Sequence, residues 1–213
     1  MQTDNKICCI IGAGDAEEIV IPSGAFVIAA DGGLNKLKGV TPHLVVGDFD
    51  SLGFLPEGDN ILRLPVEKDV TDTACAIEQG EARGADTFLI YGGTGGRPDH
   101  TLANISLLIA LSKRGKQGYL IGEGYVTTAI TDRAFGLPLK ASGTVSVFSG
   151  CDKALGVFET GLKYSLDNYI LTADNPLGVS NSFTGQPAEV SVKTGTLIVM
   201  WEEKDLKNFV DNI

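Results

Sequence analysis

The chain has 213 residues, 43% hydrophobic and 21% charged, which is enough apolar material to bury the core of one large soluble domain or two small ones. Its formal charge of −10, with only 17 Lys and Arg, excludes a protein that grips nucleic acid through clustered basic side chains. An anionic ligand must then be received through a metal ion or through backbone N–H groups.

The start M-Q-T-D-N-K lacks the features of a signal peptide, and no apolar run approaches the ~18 residues of a membrane span. Cys8, Cys9, Cys75 and Cys151 lack zinc-ligand spacing, and only two histidines are present to complete such a site. Cys8 and Cys9 lie inside an apolar run and read as buried free thiols. Together these features predict a soluble, cytoplasmic protein with no membrane partner.

In chain order, Ile7–Ile11 is a β-branched run closed by Gly12-Ala13-Gly14, and Ala25–Ala30 is a second closed by Asp31-Gly32-Gly33. Leu44–Val46, Ile61–Leu64 and Thr87–Tyr91 follow, the last closed by Gly92-Gly93-Thr94-Gly95-Gly96. Helical periodicity falls over Thr73–Arg83 and Thr101–Arg114. Apolar strands alternating with helices predict an α/β domain with a mostly parallel sheet, which binds its ligands outside the carboxyl ends of the strands. Polar clusters follow four successive runs: Asp31; Asp48 and Asp50; Lys68, Asp69, Thr71 and Asp72; Arg97, Asp99 and His100.

After about Lys116 the helical pattern fades. Short Val-, Thr-, Ile- and Phe-rich runs recur between turn residues, at Tyr119–Ile121, Tyr125–Ile130, Thr144–Ser149, Leu155–Phe158, Tyr169–Leu171, Ala188–Val192 and Leu197–Met200. This pattern predicts an all-β antiparallel sandwich. The boundary falls near residues 116–124, dividing the chain into 1–120 and 121–213.

The stretch Leu44-Val45-Val46-Gly47-Asp48-Phe49-Asp50 carries the sharpest chemistry. An extended backbone would point Asp48 and Asp50 to one side, where two like charges call for a cation. Hard oxygen ligands suit Mg²⁺ or Mn²⁺ better than zinc. A polar turn after a strand is the plain alternative. Asp72 is a possible third carboxylate, though Asp72 and Asp99 also suit helix N-caps. Gly92–Gly96 offers amide donors before a helix, with Lys68 and Arg97 as charge clamps or instead as surface ion-pair partners. Such a set fits phosphoryl or pyrophosphoryl transfer, which needs positioning and charge relief more than covalent catalysis.

Four motifs then act together: A-D-G-G (Ala30–Gly33), P-x-x-x-V-G-D-F-D-S (Pro42–Ser51), E-K-D-x-T-D (Glu67–Asp72) and G-G-R-x-D-H-x-L-A-N (Gly95–Asn104). In this order and spacing they resemble the thiamine pyrophosphokinase family. G-L-K-Y-S-L (Gly161–Leu166) and S-N-S (Ser180–Ser182) are similar to its thiamine-side segments. The resemblance implies transfer of pyrophosphate from ATP to the hydroxyl of thiamine, giving thiamine diphosphate and AMP, by a homodimer whose sites are shared between protomers. It implies Asp48, Asp50 and Asp72 as Mg²⁺ ligands and catalytic carboxylates, with base assistance from Asp72. It implies Asp31, Lys68, Thr71, Arg97, Asp99 and His100 as nucleotide and phosphate contacts, and Tyr164, Ser180 and Asn181 on the thiamine side. The chain departs from the family at Tyr164, commonly Trp; at Ser165, commonly Pro; and at Ser182, commonly Glu. Tyr164 could instead be a core or sheet-surface aromatic. A metal-dependent phosphohydrolase or nucleotidyltransferase, and a non-catalytic thiamine-binding module, are the competing readings.

Overall fold

The computed structural model describes residues 6–50, 54, 56, 58–65, 67 and 69–213. The chain forms two compact units. The first comprises Met1–Asn104 with Tyr119–Glu123, and the second Ile105–Gly118 with Gly124–Ile213.

In the first unit, β1 (Ile7–Ile11), β2 (Phe26–Ala30), β3 (Leu44–Gly47), β4 (Ile61–Arg63) and β5 (Thr87–Tyr91) pair in parallel, in the order β5-β1-β2-β3-β4. β6 (Gln117–Gly122) lies beside β5. Apart from its first residue β1 is wholly buried, and every residue of β5 is buried, as a two-sided parallel sheet requires. Burial pushes the Cys8 and Cys9 thiols up to about 12, so both stay protonated and inert. Successive strands step outward from β1 to β4, after which the chain returns to place β5 on the other side of β1. The strand order therefore reverses between β1 and β5, where α/β sheets open a ligand crevice.

Two α-helices connect these strands. In α1 (Asp72–Ala82), Thr71 is the N-cap and its Oγ1 accepts from Ala74 N at 3.2 Å. α2 (Pro98–Lys113) begins three residues before its periodic pattern, at a proline whose missing N–H suits a first helical position. A 3₁₀ helix over Asp31–Lys36 occupies what the sequence presents only as an Asp-Gly-Gly turn. Among the described residues no helix is long and apolar enough to cross a membrane.

The second unit is antiparallel. One set of strands runs in the order β12 (Asn181–Ser182), β9 (Thr144–Ser149), β14 (Thr196–Glu202), β7 (Tyr125–Thr131). The other runs β11 (Leu166–Thr172), β10 (Lys153–Thr160), β13 (Glu189–Thr194), β8 (Ala134–Gly136). The expected α/β half and antiparallel half are both present. The short β8 and β12 and the closing α3 (Leu206–Asp211) were not legible as runs. Trp201 is fully buried, edge-on to Phe209 at 5.6 Å, which fastens α3 to β14.

The most deeply buried carboxyl among the described residues of this unit is on β10. Glu159 on β10 is 1% exposed, and burial pushes its carboxyl up, opposed in part by a hydrogen bond from Asn181. The folded chain therefore holds this proton more tightly than the unfolded chain, whose glutamates titrate at about 4.3. Its stabilising share is complete below that value and is lost as pH rises through the higher folded value. Urea midpoints measured across this range should fall more steeply with rising pH for the wild type than for Glu159→Gln; parallel curves would contradict the assignment.

Candidate active site

Three aspartates come together at the carboxyl ends of β2 and β3. Asp31, Asp48 and Asp50 each place a carboxylate oxygen within 4.8 Å of the other two. The approach is not produced by an extended D-x-D, because Phe49 between the two carboxylates has φ +65°, in the left-handed region. The chain turns there, and Asp50 N–H donates to Asp48 Oδ1 at 3.2 Å. Phe49 is 4% exposed and packs with Ala29, Val45, Leu34, Leu37 and Ile61. Burial of that ring, worth about 2–3 kcal/mol, offsets the roughly 1–2 kcal/mol of left-handed backbone. Asp31 is also left-handed, at φ +46°. It opens the 3₁₀ helix, whose Gly33 packs so close to β1 that a Cβ there would overlap the Ile11 carbonyl.

The group adjoins a cavity of about 530 Å³ within the first unit. Residues following β1, β2 and β5 line it, together with the N-terminal turns of α1 and α2. Its floor is backbone against backbone. Gly12 N donates to Tyr91 O at 2.8 Å and Gly14 N to Gly92 O at 2.9 Å. A Cβ on Gly12 would lie 2.9 Å from Gly92 O, and one on Gly92 2.6 Å from Gly12 O, so only glycines permit this approach. Asn104, 5% exposed, supports the same loop by donating Nδ2 to Gly93 O at 2.8 Å. Thr94 Oγ1 is buried with no hydrogen-bond partner among the described residues. Tyr91 donates its hydroxyl to Val20 O at 2.6 Å, tying the segment after β1 to β5.

The anticipated residues distribute as follows. Asp31 belongs to both the carboxylate group and the cavity wall. Asp72, Thr71, Arg97 and His100 line the cavity, and Asp72 stands outside the three-carboxylate group. Arg97 and Asp99 meet as a fork, with Nε to Oδ1 at 3.2 Å and Nη2 to Oδ2 at 2.6 Å. That guanidinium holds the Asp99 carboxyl below its usual range. His100 N–H also donates to Asp99, at 3.0 Å. Lys68, like Ser51 of the D-F-D-S string, lies outside the described residues. In the second unit Tyr164 is 60% exposed, Ser180 is left-handed at φ +61° with its N–H on Ser146 Oγ, and Asn181 is buried. Sequence reasoning treated Gly12–Gly14 only as a strand stop and passed over Thr94. The pairing of Gly12–Gly14 with Gly92 is a contact between distant segments that no local pattern encodes.

The donor set fits a hard divalent cation: three carboxylates and no thiol or imidazole, grouped tightly enough for one ion to touch all three. The glycine loop and two helix N-termini beside it present N–H groups suited to an anion. A cation site flanked by an anion cradle is the arrangement that polyphosphate chemistry uses.

Comparison with known proteins agrees with this geometry. A family model described as "Thiamin pyrophosphokinase, catalytic domain" matches residues 19–120, and another described as "Thiamin pyrophosphokinase, vitamin B1 binding domain" matches residues 137–198. Thiamine pyrophosphokinase of Bacillus subtilis is 27% identical over 169 residues, 76% of this chain and 79% of that one. Thiamin pyrophosphokinase 1 of Caenorhabditis elegans is 24% identical over 199 residues, 86% of this chain and 80% of that one. The fold is similar to solved structures of the thiamin pyrophosphokinases of Bacillus subtilis (TM-score 0.80, 24% identity, 93% of this chain and all of that one) and Candida albicans (0.75, 17%, 94% and 90%). The two family models together span well over half of the residues, one over the three carboxylates and the cavity wall from Ala30 onward, the other over Tyr164; the chain belongs to the thiamin pyrophosphokinase family.

Proposed function

We propose that this chain transfers a pyrophosphoryl group from ATP to the hydroxyl of thiamine, producing thiamine diphosphate and AMP. The observation that carries this reading is Asp31, which belongs at once to the three-carboxylate group and to the wall of the glycine-floored cavity. A divalent cation and a polyphosphate are thereby offered adjoining places.

In this reading the thiamine hydroxyl oxygen attacks the β-phosphorus of ATP. The bond from that phosphorus to the oxygen bridging it to the α-phosphorus breaks, and AMP leaves with that oxygen. Asp31, Asp48 and Asp50 would hold Mg²⁺ or Mn²⁺, which when bound supplies charge neutralisation for the phosphate oxygens. The backbone amides of Gly92–Gly96 and the first turn of α2 receive phosphate oxygens. Arg97, held flat by Asp99, keeps N–H donors free for the same anion. Lys68, Thr71 and His100 are assigned to the nucleotide, and Asp72, on the cavity wall, to the proton leaving the hydroxyl. Tyr164 and Ser180 are assigned to thiamine, with the exposed Tyr164 ring as the stacking surface and the buried Asn181 supporting it from beneath.

The working form is proposed to be a cytoplasmic homodimer. β11 is an edge strand that exposes Tyr169 and Ile170, with exposed Leu155 opposite Ile170 on β10. An apolar edge of this kind suits a second copy of the chain.

Incubation with ATP, Mg²⁺ and thiamine should yield AMP and thiamine diphosphate in equal amounts. ADP as the nucleotide product, or phosphate release independent of thiamine, would contradict the reading. Asp48→Asn should lower kcat at least about hundredfold, roughly 3 kcal/mol of lost transition-state stabilisation, while the thermal midpoint stays within a few degrees. Near wild-type turnover by that variant would remove Asp48 from the metal assignment.

A further inference from the structure

Strand β10 carries a carboxyl group that none of the steps above uses. Glu159 is 1% exposed, and its two oxygens are served unequally. Oε2 accepts from Asn181 Nδ2 at 2.8 Å, whereas Oε1 is buried with no hydrogen-bond partner among the described residues. For stability alone an apolar side chain of similar volume would suit this position better.

The use of the group is visible beyond Asn181. That side chain is 4% exposed and engages both ends of its amide. Nδ2 donates to Tyr164 O at 2.6 Å as well as to Glu159, while Oδ1 accepts from the N–H of Tyr164 at 3.0 Å and of Ser182 at 2.8 Å. One amide thus grips the Tyr164 backbone at both its donor and its acceptor, and Glu159 anchors that amide from the core. The neighbouring chain is fixed as well, since Lys163 N donates to Ser182 O at 3.0 Å and Thr184 Oγ1 to Gly161 O at 2.7 Å. Against this rigid backbone the Tyr164 ring is 60% exposed and already carries a cation, Lys163 Nζ, 5.2 Å from its centroid. A ring so held is a prepared face for a flat, cationic heterocycle.

We propose that Glu159 is a positioning residue for the acceptor substrate: through Asn181 it fixes the Tyr164 backbone, so that the exposed ring is presented to the heteroaromatic cation of thiamine. This rests on the transfer reading above, in which Tyr164 contacts thiamine. Glu159 itself touches no substrate.

Steady-state kinetics of Glu159→Leu and Glu159→Gln, with backbone hydrogen exchange over Gly161–Leu166, test the proposal. Loss of the buried acceptor in Glu159→Leu should raise the KM for thiamine about tenfold, the upper end of what one hydrogen bond contributes. The KM for ATP and kcat should stay within about twofold, since neither depends on this acceptor. The Tyr164 amide should exchange faster. Glu159→Gln, whose amide oxygen still accepts from Asn181, should restore both readouts. In a Tyr164→Ala background, Glu159→Leu should add no further loss of thiamine affinity. Glu159→Met, closer in length, replaces the leucine variant if that fails to fold. Equal rises in both KM values, an unmoved thiamine KM, or a glutamine variant as impaired as the leucine one would overturn the proposal. A wild-type protein that makes no thiamine diphosphate would overturn the transfer reading and this one together; an active wild type with an unmoved thiamine KM in Glu159→Leu overturns only this one.

Discussion

Three carboxylates within 4.8 Å of one another repel, and the first unit is built to hold them there. At 4.8 Å a pair of full charges costs about 3.5 kcal/mol at an effective dielectric near 20, less where exposed Asp50 meets water and salt. The fold opposes this with local anchors. Phe49, between the two aspartates in sequence, buries its ring in the core against Ala29 and Val45, and Asp31 begins a 3₁₀ helix pressed onto β1 through Gly33. Both residues take left-handed backbone, a strain that persists only when surrounding packing dictates it. A divalent ion would turn the same proximity from a cost into a gain.

Topology places the phosphate side next to this charge. Because β1 lies between β2 and β5, the loops leaving β1 and β5 run side by side at the reversal of strand order. Glycine on both loops lets their backbones touch, with the Gly12 and Gly14 N–H groups on the Tyr91 and Gly92 carbonyls, forming a floor without side chains. In the second unit the polar economy differs. A single buried amide, Asn181, organises the segment that displays Tyr164, and its anchor is a carboxyl in the core. In the proposed reading the two substrates would be handled by distinct physics: charge and backbone dipoles for ATP, a rigid aromatic face for thiamine.

Much of this was legible in the sequence because the signals were local. The five apolar runs and both long helices appear where periodicity places them, and the change from helix-rich to strand-rich patterning separates the two kinds of architecture. Pro98 could have extended α2 to its true start, since proline favours the first helical position. What was not legible depends on contacts between distant segments. Asp31 joins Asp48 and Asp50 only because β2 and β3 pair in parallel with Ala30 opposite Val46, which brings the two strand ends level. The D-F-D spacing suggested an extended strand, but Phe49 had a better place to bury its ring than a pleat allows, and the backbone turned to reach it. Glu159 gave no signal at all: one glutamate in a strand-like run is ordinary until its burial and its bond to Asn181, 22 residues away, are seen.

The most direct test of the carboxylate group is Mn²⁺ binding followed by electron paramagnetic resonance, without nucleotide, comparing the wild type with Asp31→Asn. Asp31 is the informative position because geometry, not the D-F-D motif, puts it in the group. The expected result is a saturable site in the wild type that Asp31→Asn weakens at least about tenfold, the loss of one charged ligand from three. Equal Mn²⁺ affinity in the two proteins would contradict a cation shared by Asp31, Asp48 and Asp50.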